Sequence, residues 1–306
     1  MSRRPIRMIL AVLLPLLLIA SACSSDPDES ASTDSSLPSV KIGIQDFPES
    51  KVLANLYGEA LAQEGFDVSY KELGGYRDIL YKSFESGDVN FTLDYASSAL
   101  EFLNKQAGQA SPDIEKVMPL LSGELAKLKL QALDPAKAVD SNAFVVTKET
   151  AESKNLHSLS DLTSDLRLGG FADCPTNPFC IPGIKSLYGI DLSAKFIAQD
   201  GGDLTKTALK GNEIDVAVLT TTDPAIAENG WVILTDDKGL INADNIVPVL
   251  TDKLATDAGA KLKDLVNKIS AALTTEDLTE LNRQYVVDKD DADTVASGWL
   301  RDNDFL

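Results

Sequence analysis

The chain has 306 residues, 44% of them hydrophobic, with 47 acids against 28 bases and a formal net charge of −19. That length and apolar content make a globular body of one large or two medium domains. So acidic a chain offers no basic face for phosphate contacts, which argues against nucleic-acid binding.

Residues 1–22 read as a secretory leader: Arg3, Arg4 and Arg7 precede an apolar run from Met8 to Ala20, then small residues. The run falls short of the roughly 20 residues that span a bilayer as a helix. Ala20-Ser-Ala-Cys23 resembles a bacterial lipoprotein signal, which implies that Cys23 is lipidated and becomes the new N-terminus. Removing the leader's arginines takes the remaining chain to about −22. Residues 24–38, SSDPDESASTDSSLP, hold almost nothing apolar and read with Cys23 as a flexible tether. Such a protein works at the extracytoplasmic face of a membrane.

Strands and helices alternate from residue 39. Val40–Ile44 is a predicted strand, followed by Asp46-Phe-Pro-Glu49, which has the form of a helix N-terminus with Asp46 as N-cap and Glu49 at the capping-box position. Val52, Leu53, Leu56, Tyr57, Ala60 and Leu61 share one helical face, and Gly65 closes it. A strand over 66–70, a helix through Ile79, Leu80 and Phe84 and a strand over 89–93 come next. The second half repeats the theme, with strands at 143–147, 167–171 and 216–219 and a helix at 204–210. Ser83–Asn90 and Ala208–Asp215 both run from a helix end through a glycine into a strand, which suggests two lobes of like architecture. The tail is helical from Leu262, and Thr274-Thr-Glu-Asp277 caps a further helix reaching Tyr285. The predicted class is α/β, with mostly parallel sheets covered by helices.

Cys174 and Cys180 close a proline-stiffened loop; outside the cytoplasm such a pair forms a disulfide. Two thiolates in a chain with one histidine make a poor zinc site, so no metal is expected. No cofactor motif is present.

Ligands of open parallel sheets bind beyond the carboxyl ends of strands. The loops predicted there hold Phe47, Tyr76, Tyr95 and Phe171 together with Asp94, Asp173 and Asp223. Several aromatic faces around a void attract a cation that has no hydrogen bonds to give, and quaternary ammonium is the usual guest. Each ring alone could equally be core. Tyr57, Tyr188, Trp231 and Trp299 are assigned to packing.

Ile42-Gly-Ile-Gln-Asp-Phe-Pro-Glu-Ser50, Glu85-Ser-Gly-Asp-Val89, Leu93-Asp-Tyr95, Pro182-Gly-Ile-Lys-Ser-Leu-Tyr-Gly189, Ala208-Leu-Lys-Gly211 and Leu273-Thr-Thr-Glu-Asp-Leu278 resemble, in order, the substrate-binding proteins of glycine betaine/carnitine/choline ABC transporters. The resemblance implies a type II periplasmic-binding-protein fold, two α/β lobes joined by two crossing strands. Lobe one would be 39–139 and 246–306, and lobe two 140–245. It further implies a monomer that holds a quaternary ammonium solute in an aromatic cage and delivers it to a membrane permease. Tyr76 and Tyr95 would grip from one lobe, Phe171 and Thr222 from the other. Where many members carry a tyrosine after the lobe-two strand, this chain has Ala172-Asp173-Cys174, leaving Phe171 to substitute or the cage incomplete. Asp173 or Asp223 in the site would favour choline over a zwitterion, and Asp173→Asn would then weaken choline binding.

Two rival functions leave different signatures. An amino-acid-binding protein needs an arginine for the α-carboxylate, and Arg77 is the candidate near a site loop. A secreted hydrolase finds no nucleophile elbow and no metal spacing, and the single histidine, His157, precedes a capping segment. No catalytic residues are predicted.

Overall fold

The computed structural model describes residues 37–306. The leader, most of the tether and Cys23 lie outside the described residues.

Ten strands form two sheets. They are β1 (Val40–Ile44), β2 (Val68–Glu72), β3 (Phe91–Tyr95), β4 (Leu130–Ala132), β5 (Asn142–Val146), β6 (Leu168–Phe171), β7 (Ile197–Gln199), β8 (Val216–Thr220), β9 (Val232–Ile233) and β10 (Ile246–Thr251). The first sheet has the order β2-β1-β3-β10-β4 and the second β7-β6-β8-β5-β9. In each, three neighbouring strands are parallel and the last two pairings are antiparallel. The likeness between Ser83–Asn90 and Ala208–Asp215 therefore has a structural basis. Each segment feeds the strand that sits third in its sheet, after a glycine or asparagine in a left-handed turn: Gly87 at φ 78° and Asn212 at φ 56°.

The first sheet joins strands from both ends of the chain, because β10 inserts between β3 and β4. The two connections between sheets run side by side. Val139 bridges Asn245, Asp140 N–H donates to Asp244 O at 3.0 Å, and Ile246 N–H donates to Ala138 O at 3.0 Å.

Helix α1 (Pro48–Gln63) shows why the sheet has its cover. Val52, Leu53, Leu56, Tyr57 and Leu61 are wholly buried. Each large side chain so buried contributes about 1.5–3 kcal/mol. Tyr57, assigned to packing, lies within this core with its hydroxyl 3.0 Å from Ser270 Oγ. Trp299 is also buried, and Trp231 packs at the edge of the second sheet's core.

Three local expectations are corrected. The strand after Gly65 begins at Val68, not Phe66, because Phe66 turns into the core while β2 is a solvent-facing edge. The N-cap of α1 is Phe47 rather than Asp46, without a side-chain cap bond. Glu49 does not close a capping box; it is only 6% exposed and turns into the space between the two sheets. By contrast, Thr274 and Asp277 do form a reciprocal capping box, at the start of helix Thr275–Arg283. That helix stops at Arg283, and Gln284–Asp288 continues as a π-turn.

Candidate functional site

A cleft of about 580 Å³ opens at the carboxyl ends of β1, β3, β6 and β8. The position follows from topology: parallel strands end there, and their following loops are free to line a void. Its walls come from both sheets. Gln45, Phe47, Glu49, Tyr76, Arg77 and Tyr95 line one side, and Phe171, Gly201, Thr222 and Asp223 the other.

All four rings singled out in the sequence reach this cleft. Phe47 and Tyr76 stack with centroids 6.4 Å apart and planes inclined by 11°. Phe47 and Tyr95 lie 6.0 Å apart at 43°. Tyr76 is 60% exposed and so stands at the rim, whereas Tyr95 is buried at the floor. Phe171 sits at the end of β6 against Gly201. A Cβ at Gly201 would lie 2.1 Å from the Phe171 ring edge, a hard clash, and the residue's φ of +68° already favours glycine. Gly201→Ala is accordingly expected to push Phe171 aside and weaken solute affinity roughly tenfold, about the worth of one cation–π contact. Titration calorimetry on both proteins checks this.

The floor is polar and hydrogen-bonded. Tyr95 Oη donates to Glu49 Oε1 at 2.6 Å, and Asn282 Nδ2 donates to Glu49 Oε2 at 2.6 Å. Thr222 Oγ1 lies 2.7 Å from Glu49 Oε2 and 2.8 Å from Asp140 Oδ1. Thr222 follows β8 while Glu49 opens α1, so this contact crosses from one lobe to the other. Burial pushes the Glu49 carboxyl up, against the hydrogen bonds from Tyr95, Thr222 and Asn282 that favour its ionised form. Burial and then the Glu49 charge push Asp140 well above the ordinary carboxylate range. Burial, followed by the Glu49 and Asp140 charges, likewise raises the Tyr95 phenol far above its usual value, so the hydroxyl stays a donor.

The two cations of the cleft are already engaged. Arg77 Nε and Nη2 contact Asp94 Oδ1 at 2.9 and 2.8 Å, and Asp94 is fully buried. Burial alone would lower the Arg77 pKa, but Asp94 and Asp244 outweigh it and hold it above normal. The Arg77 guanidinium also lies 5.8 Å from the Tyr95 centroid. Lys206 Nζ is shared between Asp203 at 3.1 Å and Asp223 at 3.2 Å. Arg77 is thus a structural partner of Asp94 rather than a free receptor for an α-carboxylate.

The predicted acids divide. Asp223 lines the cleft but is neutralised by Lys206. Asp173 lies beyond the cleft, in a smaller depression of about 210 Å³ behind Phe171, and accepts from Asn177 Nδ2 at 3.2 Å. With this placement Asp173→Asn is expected to change solute affinity by less than about twofold, because exposed charges at a distance are screened; the same calorimetry reads it. Glu49 and Asp140, two cleft acids with no ion-pair partner among the described residues, were missed; Asp200 and Asp244 also line the cleft. Gln45 and Asn282 were missed as well. Gln45 sits directly after β1 and is 2% exposed, with Nε2 unpartnered among the described residues, so an amide donor stands unused at the cleft wall. Asn282 comes from a helix 233 residues from Glu49 and leaves no sequence signal.

The loop behind Phe171 brings Cys174 and Cys180 together as a disulfide, Cα atoms 5.2 Å apart and both side chains buried. Among the described residues, no group of three or more His, Cys, Asp or Glu is placed to hold a metal ion. His157 is exposed, its backbone N–H donating to Asp161. No described helix is long and apolar enough to cross a membrane.

Comparison with known proteins agrees with this geometry. The family model described as the substrate-binding domain of ABC-type glycine betaine transport systems matches residues 38–302. The chain is 24% identical over 312 residues to the carnitine transport binding protein OpuCC of Listeria monocytogenes, covering 100% of this chain and 99% of that protein. It is 25% identical over 277 residues to the glycine betaine-binding protein YehZ of Escherichia coli, covering 86% and 90%. Among solved structures, one titled a glycine betaine/carnitine/choline ABC transporter superposes with a TM-score of 0.76 at 25% identity, covering 87% of this chain and 98% of that one. A choline binding protein in complex with choline shares the fold, with a TM-score of 0.60 at 13% identity over 87% and 89% of the two chains. Two like sheets around a ring-lined cleft, and a family match across the whole described body, lead to one conclusion: the chain belongs to the substrate-binding domains of ABC-type glycine betaine transport systems.

Proposed function

We propose that this chain captures a quaternary ammonium solute between its lobes and delivers it to an ABC permease, without catalysing a reaction. The observation that carries the reading is the arrangement of Phe47, Tyr76 and Tyr95 on one wall with Phe171 on the other. Their faces supply negative quadrupole density to a trimethylammonium group, which has no N–H to donate. Gln45 and Thr222 then meet the polar end of the solute.

Charge narrows the choice. The cleft's cations are matched to Asp94, Asp203 and Asp223, while Glu49 and Asp140 lack a basic partner. A cation such as choline suits that balance better than a zwitterion such as glycine betaine, whose carboxylate would enter an acidic floor. The argument for choline thus rests on Glu49 and Asp140 rather than on Asp173 or Asp223. Closure needs contact with both lobes, since a ligand with equal affinity for open and closed forms shifts nothing.

The remaining assignments rest on the sequence and on function. Lobe one comprises 39–139 and 246–306, lobe two 140–245, in keeping with the membership of the two sheets. Residues 1–22 direct export, Cys23 carries lipid, and residues 24–38 tether a monomeric body to the outer face of the cell membrane. There the Cys174–Cys180 disulfide persists.

A thermal-shift screen of the purified protein tests the solute. Choline, carnitine, glycine betaine, proline betaine and the common amino acids form the panel. A ligand at 100 times its Kd adds about 2.7 kcal/mol of stability. Shifts confined to quaternary ammonium compounds, largest for choline, are expected. A shift with amino acids alone would overturn the cage.

A further inference from the structure

The floor of the cleft has fewer protons than contacts. Thr222 carries one hydroxyl hydrogen, yet its Oγ1 stands within hydrogen-bond distance of two carboxylates, Glu49 at 2.7 Å and Asp140 at 2.8 Å. It can donate to only one. The other oxygen then faces the lone pairs of Thr222 at close range, a repulsive contact unless that carboxyl bears a proton and donates. The remaining neighbours do not relieve this. Tyr95 and Asn282 already donate to Glu49, and the Thr222 backbone N–H, at 3.2 Å, already donates to Asp140. No base reaches either acid: Arg77 is held by Asp94, and Lys206 by Asp203 and Asp223. The other charge facing Asp140 is Asp244, itself an acid. Alongside them, Gln45 Nε2 and Asn282 Oδ1 are buried without partners in the same cleft, which marks this floor as a place where a solute docks.

We propose that Glu49 and Asp140 share one proton through Thr222 in the ligand-free protein, and that a cationic solute expels it on binding. Glu49 and Thr222 come from opposite lobes, so the proton forms part of the contact between them. The balance is simple. Free protein holds one proton on the pair; a bound quaternary ammonium ion supplies the positive charge instead; the proton leaves to solvent. The raised Glu49 and Asp140 carboxyls agree with this. The sign of the linkage follows. Because binding releases a proton, affinity for the cation rises with pH by up to about tenfold per unit while the free pair holds its proton, and levels off once the pair has lost it.

The first test needs no ligand. Infrared difference spectra of the ligand-free full chain at neutral pH should show the carbonyl stretch of a protonated carboxyl, and Glu49→Gln and Asp140→Asn should each abolish that band. Loss in both single variants is the mark of a shared proton, since each leaves a lone carboxylate with donors enough to stay ionised. Both changes are isosteric, and circular dichroism checks that each variant folds. A band untouched by either variant, or removed by only one, overturns sharing. The second test rests on the solute reading above. Choline titrations in buffers of different ionisation enthalpy should show close to one proton released by wild type and almost none by Glu49→Gln. Tight choline binding without proton release overturns the exchange but leaves the solute reading standing; a band that both variants abolish, with no choline binding to wild type, upholds the shared proton and overturns the solute reading.

Discussion

Replacing Tyr95 by leucine is expected to weaken choline binding by about thirtyfold, while Tyr95→Phe costs far less. Tyr95 is the buried ring among the four that line the cleft, with Phe47 6.0 Å away and Glu49 bonded to its hydroxyl. Leucine keeps an apolar body of moderate size but has no quadrupole. A desolvated cation–π contact is worth about 2 kcal/mol, which is close to thirtyfold in Kd. Phenylalanine keeps the face and loses only the hydroxyl that donates to Glu49, whose other donors, Asn282 and Thr222, remain. Titration calorimetry separates the two. Equal affinities for wild type and Tyr95→Leu would remove Tyr95 from the cage. Tyr76, at the rim and largely exposed, should contribute less, because solvent weakens such contacts.

Arg77→Met is expected to be the most damaging single change to stability, at about 3–5 kcal/mol. Its guanidinium makes two contacts to Asp94, which has no exposure of its own. Methionine leaves that carboxylate with the Tyr81 hydroxyl at 3.1 Å and the Tyr95 N–H at 2.8 Å, but with no countercharge. Removing one partner of a buried pair costs far more than removing both. The double variant Arg77→Met/Asp94→Leu should therefore recover most of the loss. Urea unfolding monitored by circular dichroism reads both. A loss below about 1 kcal/mol for Arg77→Met would mean that water reaches Asp94 and screens it. Since Arg77 also lies beside the Tyr95 ring, the single variant should lose affinity as well, whereas a receptor role for a solute carboxylate would show as lost affinity with stability intact.

The architecture was legible in the sequence because it rests on local periodicity. Alternating strands and helices, and the kinship of Ser83–Asn90 with Ala208–Asp215, led to two similar sheets, and the strand-end rule brought all four rings to one cleft. Glu49 shows where local reading stops. Asp46-Phe-Pro-Glu49 has every feature of a helix start, and a capping glutamate is the natural local interpretation. What turns Glu49 inward is Tyr95, Thr222 and Asn282, which lie 46, 173 and 233 residues away. The same limit explains Asp173 and Asp223. Both stand in loops after strands of the second sheet, but the Lys206 that neutralises one and the turn that carries the other behind Phe171 are tertiary facts. Arg77 was named as an alternative receptor because its partner, Asp94, is separated from it by a whole helix and a strand.

The placement of β10 also sets the order in which the chain can be assembled. Ile246 pairs with Tyr95 across 151 positions, and the strand it begins is an inner one, so the first sheet cannot be completed until nearly five-sixths of the chain has been made. A flexible loop of that length is entropically costly to close. The second sheet needs nothing beyond residue 233 and can form as the chain emerges. Once it has, its two exits lie side by side at Val139 and Asn245, and β10 is delivered next to the strands it must join. If the second sheet forms first, it acts as an internal clip that shortens the search of β10 for the first sheet. A lesion in the second lobe far from the cleft would then show first as slow maturation of the other lobe, before any loss of affinity.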